Sequence, residues 1–493
     1  MKILKSSVKF LFLHILYYFM LKIYNTMTRQ KEIFKPIEEG QVRIYTCGQT
    51  VYDDVHIGNA RTYSSWDVVI RYLRYKGYDV FHVQNFTDVG HLTDDADQGE
   101  DKIEKRAREQ KINPWELVDQ QIKEYWEVID DLNIQRPNIS PRATALIPDM
   151  IEIIKILLEK GYAYEVQGNI YFDTTKFKDY GKLARLKLDE EKAQARIDQD
   201  PLKKNYFDFA LWLNAQKGDQ IHIMRWNSPW GEGYPGWHLE CSVMGMKYLG
   251  ETLDIHGGGI DHIPTHHPNE IAQSEAATGK KFVNYWMHAE FITLNGKKMS
   301  KSLGNYVTAR ELIDEYGGLV VRMGLVSGHY RSAVDWNPKV IENAKSNIEK
   351  IRNCLNVIEH SPGDSEKTLD KAIKTVRNDF EASMDDDFNN PKALATIYEF
   401  IKKINSSLDN KKELLFKARD TLLELLGIFG LDFTKKEDSG VVKLNELMNI
   451  IINIRDKARK NKNYEISDEI RYKLKEAGIQ LEDGTEGTRW KII

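Results

Sequence analysis

The chain has 493 residues, of which 41% are hydrophobic and 29% charged, and its formal net charge is −4. This composition is typical of a globular protein of about three domains and argues against a disordered chain. Three cysteines in so long a chain cannot form a disulfide framework, so we expect a reducing compartment and a cytoplasmic location. The small net charge does not indicate a nucleic-acid-binding protein, although a local basic face would suffice for phosphate contacts.

The N-terminal residues 1–19 combine lysines with an apolar run from Phe10 to Phe19, as secretory signal peptides do. The run has no small-residue cleavage site and is shorter than the roughly 20 residues of a membrane span. We therefore expect residues 1–19 to be an over-extended start, Met20 to be the functional beginning, and no membrane association. Residues 20–26 are predicted to form an edge strand.

A strand, a helix and a second strand follow each other early in the chain. Residues 42–47 form a predicted strand ending at Cys47, and apolar residues repeat at helical spacing over residues 60–76. With a strand at residues 78–86, these elements make a βαβ unit, the start of a parallel doubly wound sheet. The loop before the helix contains the tetrapeptide His56 to Asn59, at a helix N-terminus that favours a bound phosphate.

The remaining segments predict an interrupted α/β domain followed by helices. Residues 142–224 mix helix and strand patterns and are predicted to be an insertion, after which a second half of the sheet domain begins near Trp226. A strand over residues 252–256 runs into three glycines. Amphipathic helices are predicted at 341–358, 367–382, 391–406 and 411–427, with Cys354 as an inert core thiol, and the last module ends in a helix at 467–477 and a hairpin through 483–487.

The second chemical signal is the run Lys298-Met299-Ser300-Lys301-Ser302. Two lysines in a mobile Ser/Gly-containing loop can reach a triphosphate and offset the charge that develops when its α-phosphorus is attacked. Alone, this run could be a solvated basic loop, and the tetrapeptide at His56 could be an ordinary turn. Together, in this order and on opposite halves of a split α/β domain, they resemble the two signatures of class I aminoacyl-tRNA synthetases.

The third signal is a possible metal-ligand set made of Cys47, Cys241, His266 and Glu270. Pro268 suits the first turn of a helix, so we expect His266 just before that helix and Glu270 within its first turn, as near neighbours. Cysteine, histidine and glutamate are chemically reasonable zinc ligands. The spacing is not that of a zinc finger, so a buried Cys241 and a helix-capping Glu270 remain the alternative.

Residues 20–493 as a whole resemble the cysteinyl-tRNA synthetase family. The supporting stretches are residues 20–26, 47–62, 235–244, 254–274, 298–302 and 384–391, with the closing segments 478–483 and 487–490. The resemblance implies an α/β fold: a split Rossmann-like parallel-sheet catalytic domain with an inserted connective domain, then a helical bundle and a small anticodon-binding module. The implied boundaries are an extension at 1–19, the catalytic halves at 20–141 and 226–285, the insertion at 142–225, a KMSKS-containing stem-contact region at 286–338, the bundle at 339–433 and the anticodon module at 441–493.

The same resemblance implies the roles of individual residues. The metal quartet would hold one zinc ion that also binds the substrate thiol, and magnesium would accompany ATP. His56, Asn59, Lys298 and Lys301 would be catalytic. ATP would be bound by His56, Gly58, Asn59, Gly257, Gly258 and Lys301, cysteine by Thr87, Trp237 and His256, and tRNA by Arg489 and Trp490. The implied partners are tRNA-Cys, ATP and L-cysteine, with a monomeric protein.

The sequence departs from the family pattern at two places. Asn59 stands where a second histidine is more usual, and an amide can still donate a hydrogen bond. Residues 90–100 form an acidic insertion after Asp88; since Gly99 takes a ligand position of the EF-hand spacing, we interpret the insertion as a surface loop. The basic run from Arg455 to Lys462 fits either a solvated helix face or an RNA contact.

Two alternative functions share these motifs. One is a cysteine ligase that acts on a small amine, which would not need the module at residues 444–493. The other is a catalytically inactive paralogue that only binds tRNA, which would not need an intact Lys298–Ser302 run or metal quartet. The sequence therefore favours an ATP-dependent cysteine–tRNA ligase that forms cysteinyl-adenylate.

Overall fold

The computed structural model describes residues 20–90, 92, 99–186, 201–217, 220–299, 305–361, 369–408, 411–434, 439–484 and 487–492. The chain divides into two compact units. The first contains the described residues within Met1–Ile313 and Gly318–Asp432, and the second those within Asp314–Gly317 and Phe433–Ile493. The predicted extension at 1–19, Lys301 and most of the acidic insertion lie outside the described residues.

The described residues contain the following strands, in chain order. They are β1 Lys22–Asn25, β2 Gln30–Ile33, β3 Gln41–Thr50, β4 Asp79–Thr87, β5 Ala163–Val166, β6 Asn169–Phe172, β7 Phe209–Asn214, β8 Gln216–Lys217, β9 Gln220–Ile221, β10 Trp226–Ser228, β11 Gly231–Pro235, β12 Leu253–Gly259, β13 Val283–Ala289, β14 Ile292–Leu294, β15 Lys297–Lys298, β16 Val334–Trp336, β17 Ile479–Gly484 and β18 Gly487–Ile492.

The described residues also contain α-helices, again in chain order. They are α1 Ile57–Tyr75, α2 Lys102–Gln110, α3 Pro114–Asp131, α4 Ile147–Glu159, α5 Trp237–Leu249, α6 His266–Thr278, α7 Ala309–Tyr316, α8 Gly318–Val326, α9 Pro338–His360, α10 Leu369–Met384, α11 Asn390–Asn405, α12 Lys412–Ile428, α13 Ser439–Lys460 and α14 Tyr464–Glu476. None of the described helices is both long and apolar enough to cross a membrane.

The centre of the first unit is a four-stranded parallel sheet in the order β13-β12-β3-β4. The predicted βαβ unit of β3, α1 and β4 is confirmed. The chain moves from β3 towards one edge of the sheet and from β12 towards the other. The carboxyl ends of β3 and β12 therefore form a topological switch point, where ligands bind in open α/β sheets.

A five-stranded antiparallel sheet, in the order β10-β11-β7-β6-β5, makes up the insertion. The implied boundary between residues 225 and 226 lies just before β10. The structure instead pairs β10 with β11 and β11 with β7, so the insertion sheet continues to Pro235. The prediction that the second half of the sheet domain begins near Trp226 came from the local sequence pattern alone. Such a pattern cannot show strand pairing across the insertion.

Three expectations about element ends differ from the structure. Strand β3 continues to Thr50 instead of ending at Cys47, with a register shift between Thr46 and Gln49 that keeps it paired to β4. Helix α6 begins at His266 after the N-cap Thr265, so Pro268 is its third residue and Glu270 lies beyond the first turn. Residues 20–26 contain β1, which pairs with β2 in a separate two-stranded sheet.

The helical bundle predicted after residue 335 is present as helices α9 to α12. Cys354 is fully buried in α9, and burial raises the pKa of its thiol to about 12, as an inert core thiol requires. In the second unit, α13 and α14 lie with the predicted β17–β18 hairpin around Met448, Ile479 and Leu481.

Candidate metal centre and nucleotide site

The predicted metal ligands converge at the switch point of the parallel sheet. Cys47 lies on β3 where the register shifts, and Cys241 lies on α5. His266 and Glu270 are one turn apart on α6, which follows β12. One ligand atom from each of the four side chains lies within 4.8 Å of the other three, and all four residues are buried. The sequence contained the ligands, and the fold brings them together.

The electrostatics of this quartet favour a bound cation. Burial raises the pKa of Cys47 well above its usual value, whereas the hydrogen bond from Cys47 lowers the pKa of Cys241 to about 6. Burial would lower the pKa of His266, but hydrogen bonds with Cys241 and Glu270 raise it to about 10. Burial would raise the pKa of Glu270, but the charge of His256 helps to lower it to about 2. Cys241 and Glu270 are thus the anionic groups of the pocket, and a bound metal would release the protons of Cys47 and His266.

Hydrogen bonds from neighbouring histidines orient the ligands. His238 Nδ1 lies 2.9 Å from His266 Nδ1, so the Nε2 atom of His266 is left facing Glu270 at 3.1 Å. His256 Nε2 lies 2.9 Å from Glu270 Oε2. Supporting contacts of this kind fix the tautomer and ring orientation of a metal-binding histidine.

The donor set passes a test of whether a metal would fit. Glu270 Oε1 is buried and lies 3.1 Å from His266 Nε2, so helix α6 offers two ligand atoms side by side in the pocket. Two thiols, an imidazole and a carboxylate are also the donors that zinc prefers. The four residues present are therefore compatible with a zinc ion.

A second, overlapping group of possible ligands combines Cys47 and Glu270 with His256 and His267. His267 Nε2 lies 3.4 Å from Cys47 Sγ, and its Nδ1 lies 2.8 Å from His288 Nε2. Both groups share Cys47 and Glu270, so they describe one pocket and not two separate centres. His267 was not predicted as a ligand from the sequence, although its position directly after His266 was a signal for it.

The tetrapeptide His56 to Asn59 forms the start of α1 at the same end of the sheet. His56 is the N-cap, and its Nδ1 accepts a hydrogen bond from Asn59 N at 3.2 Å. A Cβ on Gly58 would lie 2.9 Å from two atoms of the His56 ring, so only glycine leaves that ring undisturbed. Burial lowers the pKa of His56 to about 4, so the imidazole is neutral near pH 7 and can donate from Nε2.

The second signature approaches the first in space. Met299 Cε lies 3.6 Å from the position of a Gly58 Cβ, although Ser300 to Gly304, including Lys301, lie outside the described residues. The side chain of Lys298 also lies outside the described part of the structure. Past this gap, Ile57 N donates to Val307 O at 3.1 Å, and the Tyr306 ring centroid lies 5.7 Å from that of His56. The segment that follows the Lys298–Ser302 run is therefore anchored on the His56 loop.

The glycines that end β12 lie beside the metal pocket. Gly257 pairs with Thr46, the residue before Cys47, and packs against Trp66. A Cβ on Gly258 would lie 2.7 Å from both His262 and His267. The absence of side chains here keeps the edge of the sheet open between the metal pocket and α1.

Two of the residues predicted to line a substrate pocket contact the quartet directly, and the third lies close to it. The Trp237 ring centroid lies 4.3 Å from that of His266, and His256 is hydrogen-bonded to Glu270. Thr87 ends β4 and donates a hydrogen bond to Glu240 Oε2 at 2.8 Å. Glu240 and His238 were not predicted as site residues from the sequence, although both lie in the same short stretch as Trp237 and Cys241.

The second unit contains the two residues predicted to contact RNA. Trp490 is half-buried and packs against the cluster of Met448, Ile479 and Leu481, while the side chain of Arg489 lies outside the described residues. Arg455, from the predicted basic run, is buried and donates to Thr488 at 3.3 Å. The other basic residues of the run are exposed; they are Lys457, Arg459, Lys460 and Lys462.

Comparison with known proteins decides the family. A family model described as the tRNA synthetases class I (C) catalytic domain matches residues 33–346, and a DALR domain model matches residues 379–434. The chain is 46% identical over 483 residues to a cysteine–tRNA ligase of Chlorobium chlorochromatii, covering 96% of this chain and 99% of the relative. The chain belongs to the cysteine–tRNA ligase family. It is thus an ATP-dependent ligase of the class I tRNA synthetases.

Further relatives agree with this assignment across distant organisms. Cysteine–tRNA ligases of Chlorobaculum tepidum and Thermococcus gammatolerans are both 45% identical over 488 residues, covering 95% and 96% of this chain and 98% and 99% of the relatives. A methionyl-tRNA synthetase of Mycobacterium tuberculosis, solved with methionyl-adenylate, has a TM-score of 0.56 at 15% identity, covering 79% of this chain and 89% of that chain. The structural likeness shows the class I fold alone.

Proposed function

We propose that the protein activates L-cysteine with ATP to cysteinyl-adenylate, releases pyrophosphate, and transfers cysteine to tRNA-Cys, using one zinc ion to select the substrate thiol. One observation carries the proposal: a buried Cys47, Cys241, His266 and Glu270 quartet lies at the sheet edge that also carries the His56 loop. The family of the chain also supports the proposal, because the relatives compared above are named cysteine–tRNA ligases.

The adenylation step requires the protein to position the two substrates and to stabilise the charge of the transition state. The cysteine carboxylate attacks the α-phosphorus of ATP, and no protein nucleophile is needed. His56 and Asn59 hold the triphosphate at the N-terminus of α1, where backbone N–H groups and the helix dipole favour anions. Lys298 and Lys301 offset the charge of the transition state, Lys301 being the direct ATP contact, and magnesium accompanies ATP.

Small residues allow the nucleotide to approach the backbone. Gly58, Gly257 and Gly258 border the site, and a side chain at Gly58 or Gly258 would collide with His56 or His267. ATP therefore lies between α1 and the end of β12, with Gly257 and Gly258 as backbone contacts.

Selection of cysteine depends on the metal pocket. When bound, zinc holds a thiol as its thiolate, which a serine hydroxyl cannot match as a ligand. Rejection of serine by size alone would be worth only a few kcal/mol. Thr87, Trp237 and His256 complete the cysteine pocket around the quartet. Discrimination at the ligand itself makes an editing domain unnecessary.

Transfer to tRNA uses the parts of the chain outside the parallel sheet. We assign anticodon binding to the module at 441–493, with Arg489 and Trp490 as the contacts. Unpaired RNA bases are recognised by stacking and by hydrogen bonds to their edges. Since Trp490 is half-buried, only its exposed edge is available to a base. The protein acts as a cytoplasmic monomer with the domain boundaries given above, except for the longer insertion.

The test is ATP–pyrophosphate exchange followed by transfer to tRNA. Cysteine-dependent exchange and formation of cysteinyl-tRNA-Cys are expected from protein loaded with zinc. Absence of exchange would refute the enzymatic proposal. Exchange without charging of tRNA would favour the ligase that acts on a small amine.

A further inference from the structure

Glu240 is a fully buried carboxylate that the proposed mechanism does not use. It lies in the first turn of α5, next to the metal ligand Cys241, and its exposed fraction is 0%. Glutamate is almost never fully buried unless its charge is paired or coordinates a metal. The groups that compensate the burial of this carboxylate therefore have to be identified.

One oxygen of Glu240 is satisfied and the other is not. Oε2 accepts a hydrogen bond from Thr87 Oγ1 at 2.8 Å, and Thr87 in turn accepts from Asn85 Nδ2 at 3.2 Å. Oε1 is buried and has no hydrogen-bond partner among the residues that the structure describes. Leaving a buried carboxylate oxygen without a partner is costly, so a donor supplied by a ligand would stabilise it.

The position of Glu240 relates this oxygen to the substrate. Trp237, Glu240 and Cys241 are separated by three and four residues on α5, so they lie on one face of that helix. Trp237 contacts the metal ligand His266, and Cys241 is itself a metal ligand. Glu240 also accepts a hydrogen bond from Thr87, which ends β4, the strand against which α5 packs. The carboxylate thus lies beside residues assigned to metal and substrate.

The charged residues beside this part of the pocket already have partners of their own. His266 contacts Glu270 and His238, and Asp88 accepts hydrogen bonds from Thr144. A donor to Glu240 Oε1 would therefore have to come from a ligand.

Cysteine has three polar groups, and the proposed function assigns only two of them. The thiol is assigned to the metal quartet and the carboxylate to ATP, which leaves the α-ammonium. We propose that Glu240 Oε1 accepts a hydrogen bond from the α-ammonium of the amino acid substrate, so that Glu240 is a specificity residue for an unblocked α-amino acid. This assignment rests on the proposed function, because it assumes that cysteine is the ligand of the pocket.

A helix-dipole role accounts for less of what is observed. A glutamate in the first turn of a helix interacts favourably with the positive end of the dipole. That interaction requires neither complete burial nor a hydrogen bond from Thr87. Substrate binding explains the burial, the contact with Thr87 and the unsatisfied oxygen together.

The experiment compares two ligands and two protein variants by calorimetry on zinc-loaded protein. 3-Mercaptopropionate has the thiol and carboxylate of cysteine but no ammonium. Glu240→Gln keeps a side-chain oxygen that can accept from Thr87, removes the negative charge and keeps the shape. Glu275→Gln is the matched control, because Glu275 is a helical glutamate that accepts a hydrogen bond from Phe282 N at 3.0 Å and lies outside the proposed site.

Wild-type protein should bind cysteine at least about 10-fold more tightly than 3-mercaptopropionate, as expected for a charge-assisted hydrogen bond. Glu240→Gln should weaken cysteine by about 10- to 100-fold and 3-mercaptopropionate by less than about 2-fold, with unchanged zinc content. Glu275→Gln should bind both ligands as wild type does.

Other outcomes overturn the assignment. Equal loss of both ligands in Glu240→Gln would mean that Glu240 acts only through Thr87 or the metal. If Glu240→Gln fails to fold or to hold zinc, the wild-type comparison decides alone, and equal affinity for the two ligands refutes the assignment. Exchange activity of the wild type with unchanged cysteine affinity in Glu240→Gln refutes the role of Glu240 only, whereas no exchange with cysteine refutes the proposed function as well.

Discussion

At the scale of single residues, Cys47 joins the metal pocket to the nucleotide loop. It lies on β3, nine residues before His56, at the register shift of the strand. Cys47→Ser should lose bound zinc and weaken cysteine binding by at least about 10-fold, because a hydroxyl is a much poorer zinc ligand than a thiolate. ATP binding should change little, since His56 and Asn59 are untouched. Zinc content by elemental analysis and ligand affinities by calorimetry measure these effects.

Cys354 supplies the control for Cys47→Ser. Cys354 is the buried cysteine that does not belong to the quartet, and it lies in the helical bundle. Cys354→Ala should keep the zinc and both affinities while lowering stability. A Cys47→Ser protein with wild-type cysteine affinity would contradict the assigned role of Cys47.

At the scale of the element, one added methyl group tests whether the start of α1 positions His56 for ATP. In Gly58→Ala the new Cβ would lie 2.9 Å from the ring of His56 and 3.6 Å from Met299. Displacing His56 should raise the KM for ATP by roughly 10- to 100-fold, since small misplacements of binding groups are that costly. The KM for cysteine should stay near that of wild type. Steady-state exchange kinetics separate the two constants.

The matched substitution is Gly427→Ala in α12, where a Cβ would meet no atom within 4 Å. It should leave both KM values unchanged and stabilise the helix by up to about 1 kcal/mol. If Gly58→Ala and Gly427→Ala behaved alike in exchange assays, His56 would not be held by its contact with Gly58.

Element ends show what the sequence could and could not predict. Hydrophobic periodicity placed α1 and the bundle helices to within a few residues, because burial of one helix face repeats along the chain. It did not predict that β10 and β11 join the insertion sheet, since pairing with β7 is a long-range property. The metal quartet was predicted through a family resemblance. Glu240 was missed because nothing in a sequence shows that a carboxylate is buried and half-satisfied.

At the scale of the whole molecule, buried histidines should make stability sensitive to acid. Burial lowers the pKa of His82 to about 3, and its Nε2 lies 2.8 Å from Thr46 Oγ1 in the central sheet. The unfolded histidine titrates near 6.5, so between pH 6.5 and about 3 only the unfolded chain binds this proton. The free energy of unfolding should therefore fall as the pH is lowered through this window, by up to about 1.4 kcal/mol per pH unit for this group.

Urea unfolding of His82→Gln from pH 7.5 to pH 4 measures this contribution. The variant should lose less stability than wild type over the same range, even if it starts lower because the contact with Thr46 is altered. His360→Gln, which removes an exposed histidine on α9, is the control for loss of an imidazole. Parallel curves for wild type and His82→Gln would refute the role of His82.

The division into two units predicts separable steps. Truncation after Asp432 removes most of the second unit and leaves the parallel sheet, the quartet and the bundle. The truncated protein should retain cysteine-dependent ATP–pyrophosphate exchange within a few-fold and lose most charging of tRNA-Cys, because the proposed anticodon contacts are gone. Equal charging by both proteins would show that residues 433–493 do not contribute to tRNA recognition.

The central claim is that a protein-bound metal selects cysteine by binding its thiol. The most direct measurement is the ratio of kcat/KM for cysteine and for serine in ATP–pyrophosphate exchange, with zinc content determined on the same protein. We expect one zinc per chain and a preference for cysteine well beyond the roughly 100-fold that size or a single hydroxyl can provide. Serine exchange within about 100-fold of cysteine exchange by zinc-loaded protein would contradict it.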